Sequence, residues 1–218
     1  LMPLILALNK FDAENVAVLA TLRIVYEKAK DYRIQTNILN VLKKFPYKAI
    51  KDIMSKAVLD KNLHVSTTAA KYFRDYGNRT DVPLYFGTGT DSTLHWRVRT
   101  HMLGASLAHV GYTRPAFRNK INNMLSDTYV ASQDPYEKAL ALDALSEFSV
   151  NYEFISSAVM NKENHPVVRS TGIELLSKIR KDRKLQAVFG PAYPTVTRNF
   201  NKILENSILS DDVAVVGL

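Results

Sequence analysis

One spacing of apolar residues recurs along this chain and limits what it can fold into. An anchor is followed by a small or apolar residue four positions on, then by apolar residues at seven, eight and eleven, which together mark one face of an α-helix. The clearest copies are Ile34, Ile38, Val41, Leu42 and Phe45 and, position for position, Val65, Ala69, Tyr72, Phe73 and Tyr76. Val98, Met102 and Ala105 fit a third copy whose last half slips by a residue to Leu107. Glu137, Ala141, Ala144, Leu145 and Phe148 form a fourth, and Val168, Gly172, Leu175, Leu176 and Ile179 a fifth. Val213 and Gly217 begin one more. Successive anchors lie 31, 33, 39 and 31 residues apart, a period that fits helical hairpins.

Second apolar stripes lie between these copies: Ile50, Ile53 and Met54; Phe117, Ile121 and Leu125; Phe154, Ile155 and Val159; Val196, Phe200 and Leu204. Each is narrow, as expected of a helix packed between its own partner and the next repeat. Turn residues agree with the period. In Asp134-Pro135-Tyr136-Glu137 the Asp accepts the N3 amide, Pro sits at N1 where its missing N–H does no harm, and Glu reaches back as in a capping box. Pro46 and Pro166 stand near other helix starts, and Gly77 and Gly111 follow helices as C-caps. The pattern predicts an all-α chain, a right-handed α-solenoid of stacked antiparallel helical hairpins occupying residues 1–218 as a single repeat domain. Both ends break off in mid-pattern, which reads as a fragment of a longer protein.

One hairpin breaks the rule. Asn78 to Ser92 contains Pro83, Gly87 and Gly89 and offers only Val82, Leu84, Tyr85 and Phe86 as apolar material. The expectation is a short turn of helix followed by an exposed loop, with Tyr85, Phe86, Gly87 and Gly89 as the candidate contact loop for a partner. Within it, Phe86 is expected to fold back as a plug and Tyr85, with its polar tip, to face the partner.

The chain carries 29 Lys and Arg against 21 Asp and Glu, a net charge of +8, which favours acidic partners in general, whether nucleic acid, an anionic membrane surface or an acidic protein client, without choosing among them. The densest basic run, Arg180-Lys181-Asp182-Arg183-Lys184, reads as a solvated helix end rather than a nucleic-acid patch. With no Cys, disulfides, thiolate zinc sites and Cys nucleophiles are excluded within these residues. No apolar run reaches the roughly 18 to 20 residues that span a bilayer, and the first residues lack a basic, cleavable leader.

Candidate chemistry is sparse. Gly87-Thr88-Gly89-Thr90-Asp91 resembles a phosphate cradle only superficially, lacking the Lys-Ser/Thr ending of a Walker loop and the third Gly of a dinucleotide site. Asp91 or Ser92 there is expected to cap the next helix. His95, His101 and His109 are spaced by six and eight, not by the three or four that would put two metal ligands on one helix face, so no metal site is expected from them. His64 and His165 stand alone near helix starts. Glu137, Asp143 and Glu147, and likewise Asp211 and Asp212, suit helix starts and solvent better than paired acid/base work. No Ser lies in a Gly-x-Ser-x-Gly elbow, and no cofactor box is visible.

The apolar-Arg pairs Val98-Arg99 and Val168-Arg169 begin helices in a way that resembles HEAT repeats, although the units are shorter than the roughly 40 to 47 residues usual there. The run from Tyr129 to Leu140, the Val167–Ile179 helix and the Phe200–Asp212 segment resemble the HEAT-repeat region that accompanies cyclophilin-type peptidyl-prolyl isomerase domains in certain bacterial proteins. The resemblance implies a non-catalytic module that positions protein clients in a larger isomerase. The isomerase domain's own motifs, such as a Phe-His-Arg stretch, are missing here. The alternative is a basic HEAT-like nucleic-acid-binding protein or DNA glycosylase, for which Trp96 is the lone Trp and no aromatic-acidic cluster is apparent. A HEAT-like bilin lyase subunit has no specific support.

Overall fold

The computed structural model describes residues 15–111, 114–181 and 189–208, and among these every regular element is helical. They form α1 (Val16–Lys28), α2 (Tyr32–Leu42), α3 (Tyr47–Ala57), α4 (Leu63–Tyr76), α5 (Val82–Thr90), α6 (Trp96–His109), α7 (Pro115–Ala131), α8 (Pro135–Leu145), α9 (Tyr152–Met160), α10 (Pro166–Lys181) and α11 (Tyr193–Ile208). Short 3-10 turns, Arg79–Asp81 and Ser149–Asn151, lead into α5 and α9. The copy begun at Val213, the pair Asp211 and Asp212, and the Asp182–Lys184 half of the basic run lie outside the described residues. No helix among the described residues is long and apolar enough to cross a membrane.

The chain divides into two compact units, residues 1–109 and 110–218. In the first, α2 packs on α4 and α4 on α6, while α1, α3 and α5 pack on α2, α4 and α6 respectively. In the second, α8 packs on α10, with α7 on α8, α9 on α10, and α11 against both α9 and α10. The helices that pack on one another in series are those carrying the recurrent apolar face. Much of that face is interior, with Ile38, Leu42, Val65, Phe73, Val98 and Met102 buried in the first unit and Ala141, Leu145, Val168 and Leu176 in the second, while the anchors Ile34 and Glu137 are half-buried. Tyr76 departs from the pattern, since it stays 54% exposed and only stacks on Tyr72 at 5.4 Å.

The irregular hairpin is more regular than the sequence implies. Val82–Thr90 is a full nine-residue helix, not a turn and a loop. Pro83 stands in its first turn, where no amide hydrogen bond is lost, and neither glycine adopts positive φ. Gly89 is there for space. A Cβ on it would meet Leu103 Cγ of α6 at 2.8 Å, so the glycine lets α5 and α6 approach closely. A Cβ on Gly87 would meet nothing within 4 Å. Because an exposed helical glycine costs roughly 0.5 to 1 kcal/mol relative to alanine, Gly87→Ala is expected to stabilise the chain by about that amount. Urea unfolding reads this directly, and a lowered midpoint would refute it.

The second unit repeats the first with an offset of 70 residues over its latter half. The 3-10 turns begin at Arg79 and Ser149, α5 and α9 have equal length, and Asp91 and Asn161 each close the following turn by accepting the N–H two residues on. His95 and His165 then cap α6 and α10, each Nδ1 accepting from the amide two residues later at 3.2 Å. Histidine therefore caps α6 where Asp91 or Ser92 had been expected to, because the Asp91 carboxylate is spent on Thr93. Over the earlier half the offset is 72: Asn62 and Asp134 cap α4 and α8, and Asp60 and Ser132 each accept the capping residue's own N–H. The Glu137 carboxylate accepts the Ser132 hydroxyl at 2.7 Å, closing the expected capping box through a serine relay.

Candidate functional site

Two places in the first unit gather polar or exposed side chains beyond what helix ends require. The first is a part-buried chain of hydrogen bonds joining α3, the 3-10 turn and α5. Tyr47 hydroxyl lies 2.7 Å from both Asp81 Oδ2 and Tyr85 Oη, Lys51 Nζ pairs with Asp81 Oδ1, and the Asn78 amide donates to Tyr85 Oη at 2.9 Å. Proton counting fixes the direction. An ionised Asp81 only accepts, so Tyr47 gives it its single proton and Tyr85 must donate to Tyr47 while accepting from Asn78.

The electrostatics follow from that order. Burial would raise the Asp81 carboxyl, but the bonds from Lys51 and Tyr47 outweigh it and hold the group below its ordinary range. Tyr47 is pushed far up by burial and by its bonds to Tyr85 and Asp81, and burial likewise raises Tyr85. Both phenols stay protonated at neutral pH. Around them Tyr72, Phe73 and His109 close the packing, with Phe73 at 5.2 Å and His109 at 5.9 Å from the Tyr85 ring. Every polar atom of this relay is engaged in tying α5 to α3, so its chemistry is that of a clamp.

This arrangement corrects the expected split between the two aromatics. Tyr85 is fully buried and is the plug, whereas Phe86 is half-buried. The hydroxyl that marked Tyr85 for a partner is instead satisfied inside, by Asn78 and Tyr47. Gly89 is buried in the α5–α6 contact and Gly87 is exposed, so the four candidate contact residues do not share one surface.

The histidines are structural. Besides the two caps, His109 Nε2 lies 3.1 Å from the carbonyls of both Phe73 and Arg74 at the C-terminal end of α4. Gly77 leaves room for it, since a Cβ there would lie 2.7 Å from that nitrogen. His64 stacks on Tyr32 at 4.9 Å, and His101 is buried within α6. Among the described residues no group of three or more His, Asp or Glu is placed to hold a metal ion.

The second place is a groove of about 300 Å³ between the connection from α3 to α4 and the connection from α5 to α6. Leu63, Leu94 and Val98 supply apolar wall, and Lys61, Thr93 and His95 supply polar lining. Leu59 stands at it 59% exposed. Beside it Trp96 lies against His95 at 5.4 Å and under the Arg97 guanidinium at 5.1 Å. The sequence marks Val98 as a repeat anchor and singles out His95 and Trp96, but Leu59, Lys61, Thr93 and Leu94 sit in connections, where no periodicity marks them. Charge points to the same unit: residues 1–109 hold sixteen Lys and Arg against nine Asp and Glu, residues 110–218 thirteen against twelve. Nearly all the net positive charge thus belongs to the unit with the groove. Comparison with protein-family models, with curated proteins and with solved structures finds no match to this chain.

Proposed function

We propose that this chain is a HEAT-like array of helical hairpins, a right-handed α-solenoid, acting as a non-catalytic module that binds acidic segments of protein partners. The observation that carries the reading is the concentration of positive charge in the unit whose surface holds the groove. A net positive charge on the unit that holds an apolar recess suits a partner offering acidic residues around an apolar anchor, since steering comes from the charge and residence time from the burial. Serial packing of α2, α4 and α6 supports the array, because repeats that meet mainly their neighbours keep a long row of side chains free of core duty. In a parent chain bearing a cyclophilin-type isomerase domain, as the sequence resemblance implies, such a module would hold clients for it.

The same charge favours a second reading, nucleic-acid binding. Fluorescently labelled duplex DNA titrated against the chain at rising salt separates them. Protein binding predicts at most weak association that vanishes near physiological ionic strength. Tight binding whose logarithm falls steeply and linearly with log salt would move the function to nucleic acid.

A further inference from the structure

The groove of the first unit has a counterpart in the second that the chain itself fills. With the offset of 72 set by the caps of α4 and α8, Ser66 corresponds to Lys138. In α3 and α7 the offset is 71, since Asn122 and Asn151 pair as Lys51 and Asp81 do and buried Ile121 and Leu125 match Ile50 and Met54, so Val58 corresponds to Tyr129. With the offset of 70 set by the following turns, Leu94 corresponds to Asn164. In the second unit the Tyr129 phenol accepts from Asn164 Nδ2 at 3.0 Å, and its ring lies 5.4 Å from Lys138 Nζ. One aromatic ring thus occupies the space between those two positions. In the first unit the same positions are Val58, Ser66 and Leu94, and all three line the groove.

We propose that this groove receives one aromatic side chain, tyrosine above all, from an acidic segment of a protein partner; the inference rests on the protein-binding reading given above. The size suits it, since about 300 Å³ is at the small end of ligand sites and holds an anchor side chain rather than a cofactor. The chemistry suits it too. A tyrosine offers an apolar body to Leu63, Leu94 and Val98 and a hydroxyl to the polar lining. His95 lines the groove, and because its Nδ1 accepts the Arg97 amide, a neutral ring carries its proton on Nε2, a donor for a phenol oxygen as Asn164 is for Tyr129. The acidic flanks follow from charge. Lys61 and Arg97 are exposed at or beside the groove, while the carboxylates of Asp60 and Asp91 are turned onto the backbone of their own connections.

The test uses the end-blocked pentapeptide Glu-Glu-Tyr-Glu-Glu and its Tyr→Ala analogue, titrated into the full chain and followed by methyl NMR. Saturable shifts are expected at Leu59, Leu63, Leu94 and Val98, with the alanine peptide weaker by at least roughly tenfold, as for a buried aromatic anchor. Val58→Tyr combined with Leu94→Asn installs the second unit's plug and should abolish the shifts while the helical circular dichroism is kept. Lys61→Glu, an exposed change that leaves the fold alone, should weaken the tyrosine peptide several-fold. Equal binding of the two peptides would overturn the aromatic anchor and leave the acidic-partner reading standing. Binding with no shift at the groove methyls would also overturn it. Binding of neither peptide, together with tight and steeply salt-dependent binding of duplex DNA, would overturn both readings.

Discussion

Tyr85→Ser is expected to cost the chain about 3 to 5 kcal/mol, against roughly 1 to 2 for Phe86→Ser at the next position. Tyr85 is fully buried, packs on Phe73, and stands in the middle of the proton relay from Asn78 to Asp81. Serine would leave a cavity among aromatic rings and strip partners from the Asn78 amide and the Tyr47 hydroxyl, which meet Tyr85 in part-buried hydrogen bonds. Tyr85→Phe separates the two contributions. It keeps the packing and removes only the bonds, so a loss of about 1 to 3 kcal/mol is expected from it. Phe86 is half-buried and carries no polar group, so truncation there forfeits part of one side chain's burial. Denaturant unfolding of the three variants gives the order, and finding Phe86→Ser the most damaging would contradict the placement of Tyr85.

The helices were legible because their signal is periodic. Ile38, Val65, Val98, Ala141 and Val168 recur on one face, and the interior follows them almost position for position. Caps at Asp134 and prolines at helix starts were legible for a similar reason, since each acts within four residues of itself. The irregular hairpin was misread because Gly87 and Gly89 look like breakers when a sequence is read one segment at a time. Only Leu103, fourteen residues downstream of Gly89, explains why a glycine is needed there. The clamp was illegible for the same cause. Tyr47, Asp81 and Tyr85 are separated by up to 38 residues, and nothing local marks them as partners. The groove is harder still, because it exists through what positions 58, 66 and 94 leave unfilled, and that becomes visible only when the second unit shows Tyr129 in the corresponding place.

The duplication also predicts a coupling. In the first unit the small residue at the crossing of the last two helices is Gly89, on α5, facing Leu103 of α6. In the second the small residue has changed sides: Gly172 on α10 faces Val159 of α9, where a Cβ would lie 2.5 Å from Val159 Cγ2. Position 159 corresponds to 89 and position 172 to 102, one residue before Leu103, so each crossing uses a single glycine, on α5 in the first unit and on α10 in the second. Gly172→Met alone forces side-chain volume against Val159 and should destabilise by about 1 to 3 kcal/mol or somewhat more. Val159→Gly alone removes buried side-chain volume and adds a helical glycine, and it should cost a similar amount. Together they move the glycine from α10 to α9, the side that carries it in the first unit, so the double variant should lose less than the two singles combined, with a favourable coupling of about 1 to 3 kcal/mol. A double-mutant cycle by urea unfolding measures that coupling. Simple additivity within about 0.5 kcal/mol would show that α9 and α10 do not meet at this pair, and the equivalence between the units would fail with it.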